Sequence, residues 1–424
     1  MEQLKDAHYF HMPFQGNIYT MTELRLSNGK VPILAASLKR DIFYFEYLES
    51  SPTLEPATKE ISFTYIPSGA EIISIDAFNK SSVINVAVIG ITIIKNSNDS
   101  DSLETFLNIY SQLEEDEDFN IENIAQNCLT LELNFIPYHL THTELITWDK
   151  DYNFNKKEIV FVLSGSDHQI HIYRENPMEH IYKEIDSYEF FPEFTKTPSP
   201  IVWIDILYMN NYEERITAIG CECGYLKLIK VDTKVKKTVY NFSTRFTNYI
   251  AKVNLYIENE TKHLENFNKG TLKICCEKRE ISRPILNLVV VNSILPSVLF
   301  HDVLKFGLSD YIPLAKHDPC IVYTSCIVAD IDFDAQKEIL LGTSSQEIVL
   351  YKRDSKDNKW YLEEIRKIVA PVLSMKYIDV SGDGVKELIV SSMKGLHIFQ
   401  HDPGFVQKKL KEKIDLLTIP KIGT

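Results

Sequence analysis

Asp330-Ile-Asp-Phe-Asp-Ala-Gln-Lys-Glu-Ile-Leu-Leu341 and Asp379-Val-Ser-Gly-Asp-Gly-Val-Lys-Glu-Leu-Ile-Val390 are two copies of one design, an acidic loop that runs straight into an apolar strand. Asp330, Asp332, Asp334 and Glu338 fall on Asp379, Ser381, Asp383 and Glu387, and the likeness extends over Asp330 to Tyr351 and Asp379 to Phe399 at an offset of 49 residues. This is an internal repeat, and its unit is a loop followed by β-hairpins.

The same alternation of short Val, Ile, Tyr and Phe runs with polar turns recurs upstream. Ile33–Ala36 is followed by Ile42–Phe45, Ile72–Asp76 by Ala87–Gly90 and Phe106–Tyr110, Ile159–Gly165 by Ile170–Tyr173, and Val202–Asp205 by Thr217–Gly220 and Tyr225–Leu228. β-Branched and aromatic residues between Gly, Ser and Asn read as strands, and no helical period separates them, which excludes a βαβ array. Units beginning near residues 31, 72, 131, 201, 250, 321 and 373 give seven repeats of about 61 residues, a period that suits four-stranded propeller blades with insertions. The fifth unit, Lys252 to Leu304, is split by a polar loop before Ile285–Val291.

The expected fold is therefore all-β: a single seven-bladed β-propeller over residues 1–402, with loop insertions and a short C-terminal helical tail. His8 to Thr20 is the candidate for a strand that closes the last blade, because ring closure removes two open edges. Polar inserts at Asn96–Glu104 and Glu114–Asp118 are placed outside the wheel. In the tail, 403–424, Val406, Leu410, Ile414 and Leu417 share one face of an amphipathic helix, which suits packing against the propeller.

Composition narrows the function classes. The 424 residues carry 45 Lys plus Arg against 59 Asp plus Glu, a net charge of −14 that opposes broad binding to nucleic acid or anionic lipid. The longest apolar stretch, Val83 to Ile94, contains Asn85, is too short for a transmembrane segment of about 20 residues and reads as two strands. Met1–Asp6 has neither a basic nor an apolar signal region, so an intracellular protein is expected. The 7 cysteines are odd in number and dispersed, which suits reduced thiols. The sequons at Asn79, Asn98, Asn241 and Asn259 would carry glycans only in a secreted, calcium-dependent adhesion protein, a reading that the missing signal region opposes.

No nucleophile with a base, zinc motif or phosphate loop is present, so an enzyme is not expected. His8 with His11, His139 with His142, and Cys221 with Cys223 lack the further ligands a metal site needs. The acidic loops remain. Asp379, Ser381, Asp383 and Glu387 stand at calcium-loop spacing with Gly384 at the sharp turn, while Asp330, Asp332, Asp334 and Glu338 have Ala335 there, which disfavours a left-handed turn. Two readings stay open for both loops: a calcium site, or side chains that tie up backbone N–H groups.

The acidic loops resemble the FG-GAP loops of integrin α-chain propellers. A fuller resemblance is carried by Tyr65-Ile-Pro-Ser-Gly-Ala-Glu-Ile-Ile-Ser-Ile-Asp-Ala-Phe-Asn-Lys80, Phe106-Leu-Asn-Ile-Tyr110, Ile124-Ala-Gln-Asn-Cys-Leu-Thr-Leu-Glu-Leu133, Leu163-Ser-Gly-Ser-Asp-His-Gln-Ile-His-Ile-Tyr173 and Lys394-Gly-Leu-His-Ile-Phe-Gln-His401, which are similar to the kaptin family in the same order. That resemblance implies a non-enzymatic subunit of the KICSTOR complex, partnered by a second FG-GAP-type propeller subunit and a large scaffold. The complex brings the GATOR inhibitory complex to the lysosomal surface and restrains target-of-rapamycin signalling when amino acids or glucose are scarce. The resemblance also implies an alternative, binding to actin filaments at lamellipodia and stereocilia. It implies no catalytic residue, no cofactor and no transmembrane segment, and a cytoplasmic protein held at the lysosome through its partners.

Overall fold

Each apolar run finds its neighbour by hydrogen bonding to the next run in the chain, and the product is seven antiparallel sheets of four strands each. The computed structural model describes residues 1, 3–50, 53–96, 102–112, 119–258, 283–354 and 359–418. Strand β1 (Leu4–His11) does not pair with the strands next to it in sequence. The first blade comprises β2 (Met21–Glu23), β3 (Ile33–Ala36), β4 (Ile42–Ser50) and β5 (Thr53–Ile61), and the second β6 (Glu71–Asn79), β7 (Ala87–Asn96), β8 (Leu103–Ser111) and β9 (Cys128–Leu133). The third comprises β10 (Pro137–Trp148), β11 (Phe154–Gly165), β12 (Ile170–Asn176) and β13 (Ile181–Ile185), and the fourth β14 (Ile201–Met209), β15 (Glu214–Cys221), β16 (Tyr225–Asp232) and β17 (Lys237–Arg245). The fifth is β18 (Ile250–Glu258), β19 (Ile285–Asn292), β20 (Val298–Phe300) and β21 (Ile312–Pro313), and the sixth β22 (Tyr323–Ala329), β23 (Glu338–Thr343), β24 (Glu347–Arg353) and β25 (Trp360–Lys367). The seventh has only three strands of its own, β26 (Val372–Ile378), β27 (Glu387–Ser392) and β28 (Gly395–His401).

Strand β1 supplies the missing outer strand of that seventh blade, pairing antiparallel with β28 from Leu4↔His401 to His11↔Gly395. The closing strand thus begins four residues before the His8–Thr20 segment expected to provide it. Leu4 is buried in the cluster between blades 6 and 7, and its carbonyl accepts a hydrogen bond from Arg366 of β25. The core is divided accordingly. Seven hydrophobic clusters among the described residues each straddle one gap between neighbouring blades, the last joining blade 7 back to blade 1 through Ile389, Ile398, Ile33 and Phe45. Close packing between blades needs small residues at the contact: a Cβ on Gly342 would lie 2.5 Å from Val372 Cγ1 of the next blade.

Three details differ from expectation. The first unit begins at Met21, not residue 31, because the three-residue β2 is too short for periodicity to register. The stretch Val83 to Ile94 holds one strand, β7, with Val83–Val86 in the preceding turn region. The repeat offset is 49 residues only up to the hairpin turn; Ile339 pairs with Tyr351 but Leu388 pairs with Phe399, so it drops to 48 beyond the turn. The turn between β27 and β28 is one residue shorter than that between β23 and β24. The C-terminal helix spans Pro403–Thr418; the inserts at 97–101 and 113–118, residues 259–282 and the tail from 419 lie outside the described residues.

Leu4→Ala is expected to lower stability by about 2–4 kcal/mol, the usual cost of truncating a buried leucine. Removal of residues 1–11 should cost more and promote aggregation by exposing the β28 edge. Chemical denaturation of the three proteins checks this; equal midpoints would show that β1 does not hold the ring.

Candidate functional site

The two acidic loops occupy equivalent places, between the first and second strands of blades 6 and 7. Their paired carboxylates first satisfy the backbone. Asp330 Oδ1 accepts the N–H of Asp334 at 3.1 Å and Oδ2 that of Ala335 at 3.0 Å; Asp379 does the same for Gly382 at 2.7 Å and Gly384 at 2.8 Å. At the far end Glu338 Oε2 accepts from Ile331 N at 2.8 Å, and Glu387 Oε2 from Val380 N at 2.9 Å. Phe333 and Ala335 adopt φ of 58° and 70°, the counterparts of Gly382 at 78° and Gly384 at 87°. Ala335 therefore makes the left-handed turn that its side chain disfavours, held there by Asp330.

The loops part company over their cations. In blade 6, Lys352 of β24 reaches into the loop, pairing with Asp332, with Asp334 at 2.8 Å and with Glu338 Oε1 at 3.6 Å. Its ammonium competes for these carboxylates with any metal ion, although Asp330, Asp332 and Glu338 bring carboxylate oxygens within 4.8 Å of one another. The strand partner in blade 7 is Gln400, a neutral group 3.5 Å from Glu387 Oε1. There Asp379, Asp383 and Glu387 bring carboxylate oxygens within 4.8 Å of one another, and Ser381 donates to Glu387 at 2.7 Å. Both loops therefore gather carboxylates that could hold a cation, and in blade 7 Asp379, Asp383 and Glu387 do so with no lysine ion-paired to them among the described residues. Lys352 escaped sequence reading because it lies on a neighbouring strand, outside the loop spacing; the Lys-to-Gln difference between the repeats was its only signal.

Burial governs the titration of these groups. Glu338, whose side chain is 2 % exposed, is pushed up to about 7 by desolvation and by Asp332 and Asp334, against the opposing Ile331 hydrogen bond and Lys352 charge. Glu387 and Asp330 are raised for the same leading reason.

Beside the loops opens the mouth of the propeller's central channel. Its floor is aromatic: His139 stacks on Trp203 with ring centroids 4.2 Å apart, and Tyr19 of the blade 1 segment reaches across to donate to Val202 O at 2.8 Å. Above this plug the inner strands present charge. Glu23 of β2 pairs with Lys376 of β26, and Asp76 of β6 lies 2.7 Å from His142 of β10. Burial opposes the ionisation of Glu23, yet Lys376 and Arg25 hold it down at about 2. His139 is pushed down to about 3 by burial and the lysines, so it is a neutral core histidine. The C-terminal helix leans over this mouth, with Phe405 stacked on Phe333 at 5.8 Å and Val406 and Leu410 facing the cavity, while Leu410 and Ile414 stay exposed.

The family model described as "KICSTOR complex protein kaptin" matches residues 4–411. The chain belongs to the kaptin family. A mouse relative, the KICSTOR complex protein kaptin of Mus musculus, is 34% identical over 390 residues, covering 91% of this chain and 85% of its own. The kaptin family is one of non-enzymatic scaffolds, and this chain is accordingly a scaffold and not an enzyme. Two crystal structures of BBS1N in complex with ARL6DN, one soaked with lead and one with mercury, each match with a TM-score of 0.52 at 10% identity, covering 95% of this chain and 97% of theirs. That likeness concerns the fold alone.

Two outcomes are expected for the loops of this kaptin-family propeller. Ala335→Gly should stabilise it by about 0.5–1 kcal/mol, relief of a left-handed alanine offset by greater freedom when unfolded; a loss of thermal stability would refute the strained turn. Because Glu338 titrates at about 7 when folded and near 4.5 when unfolded, its contribution is complete below pH 4.5 and is lost as pH rises through 7. Glu338→Gln should therefore gain stability relative to the parent between pH 5 and about pH 7.5 in denaturant titrations, and a constant difference would contradict the shift.

Proposed function

We propose that this kaptin-family propeller is a scaffold subunit of a KICSTOR-type complex, pairing with a second FG-GAP-type propeller and a large scaffold subunit to bring the GATOR complex to lysosomes and restrain target-of-rapamycin signalling. The observation that carries the reading is the family match over residues 4–411. Rigid blades bearing variable loops are suited to holding other proteins. No helix among the described residues is long and apolar enough to cross a membrane, which agrees with attachment to the lysosome through partners.

The rim of blades 4 and 5 suits one such partner. Phe242 of β17, 39% exposed, lies against Gly307, whose chain neighbour Phe306 is 50% exposed; Tyr311, 54% exposed, packs edge-on against Phe246 and Phe300. Exposed aromatic residues of this kind are a usual mark of a protein contact, and a stable one buries about 1,200–2,000 Å² in total.

Affinity purification of the tagged protein from starved and fed cells, with mass spectrometry, tests the proposal. Recovery of a second propeller and a very large subunit is expected, and Phe306→Asp should reduce that recovery without lowering the melting temperature. Recovery of actin and its regulators in place of those subunits would overturn the reading in favour of filament binding.

A further inference from the structure

A cavity of about 640 Å³ lies at the channel mouth, walled by β18, β22 and β26 and by the two acidic loops, with the C-terminal helix along its edge. Among the described residues it is lined by Lys252, Lys337, Lys376, Lys386, Lys409 and Lys413. Only two carboxylates face them, Glu23 and Asp330, in a chain whose net charge is −14. Lysines from the inner strands, from both acidic loops and from the C-terminal helix thus converge on one void.

Most of these ammonium groups make no direct ion pair among the described residues, although Asp205 and Glu23 act on Lys252, Asp330 and Glu258 on Lys337, and Asp330 on Lys413. Lys376 pairs with Glu23, and Lys337 donates to Ile257 O at 2.9 Å. Lys252 has neither an ion pair nor a hydrogen bond among the described residues; it rests over the Trp203 ring at 4.5 Å. Lys386, Lys409 and Lys413 approach the rings of Tyr377, Phe405 and Phe333 at 6.0, 5.6 and 5.9 Å, and Lys413 also faces the Asp330 carboxylate. Like charges are also crowded. Lys252 is pulled down to about 8 by burial and by Lys376, despite opposing pulls from Cys326, Asp205 and Glu23. Holding half-desolvated like charges together is unfavourable unless an anion joins them.

We propose that the channel mouth binds a small, highly charged phosphate compound, of the polyphosphorylated polyol class. Lysine is a compact point charge that suits tetrahedral phosphates, and the lining contains no arginine fork for planar carboxylates. The volume of about 640 Å³ lies within the usual range of small-molecule pockets, about 300–1,000 Å³. Bound there, the anion bridges Lys409 and Lys413 of the C-terminal helix to lysines of blades 5, 6 and 7, fixing a helix whose Leu410 and Ile414 are otherwise exposed.

Isothermal titration of the full chain with inositol hexakisphosphate at about 0.15 M salt tests the site. One saturable site is expected, weakened about tenfold or more by Lys386→Glu or Lys413→Glu, both on the surface. Lys150→Glu, an exposed lysine outside the cavity, should change affinity by less than about twofold. Inorganic phosphate should bind far more weakly, which separates a clustered polyphosphate from a single phosphate group. Absence of binding, equal weakening by Lys150→Glu, or tighter binding of an oligoglutamate peptide than of the polyphosphate would each overturn the proposal.

Discussion

The hydrogen-bonded pairing of β1 with β28 is the constraint on which the remaining architecture depends. Each hydrophobic cluster is shared by two neighbouring blades, so no blade has a complete core of its own. A ring left open would expose two half-clusters and two sheet edges at once. Tying the first strand of the chain to the last blade converts seven weak sheets into one cooperative body, and it is also why the seventh sheet needs a strand from the opposite end of the sequence.

Within that ring, blades 6 and 7 show how one motif serves two electrostatic solutions. Asp330 and Asp379 hold the same backbone turn, and Glu338 and Glu387 accept the same kind of backbone N–H. The excess carboxylate charge is then balanced differently, by the Lys352 ammonium in one blade and by hydrogen bonds from Ser381 and Gln400 in the other. An internal lysine offsets the charge of the blade 6 loop, while Glu338 stays buried among other acids and is drawn towards protonation. The same economy of charge explains the channel mouth, where lysines from blades 5 to 7 and from the C-terminal helix collect in a chain that is acidic as a whole. Net charge describes the outer surface that partners meet; it does not describe the inner end of the channel.

Much of the architecture was legible from local pattern. β-Branched runs such as Ile339–Leu341 and Leu388–Val390 declare strands, the acidic loops declare a repeat, and the spacing of such units points to a wheel of seven. The short β2 was not legible, because three residues show no period, and neither was the one-residue difference between the turns after β23 and β27, which leaves the loop alignment intact. For the candidate site, the acidic residues could be named in advance, but their partners could not. Lys352 and Gln400 differ in one charge at equivalent strand positions, and that difference acquires meaning only once each side chain is known to point into its loop.

Elements, repeat and family were thus readable along the chain, since each resides in residues close together in sequence. The folded ring set which cation balances which loop, put Ala335 into a left-handed turn, and brought lysines separated by up to 161 positions, from Lys252 to Lys413, around one cavity. The physical reason is that hydrogen bonding and side-chain periodicity act over a few residues, whereas Coulomb interactions and desolvation depend on distance in space, which only closure of the ring sets.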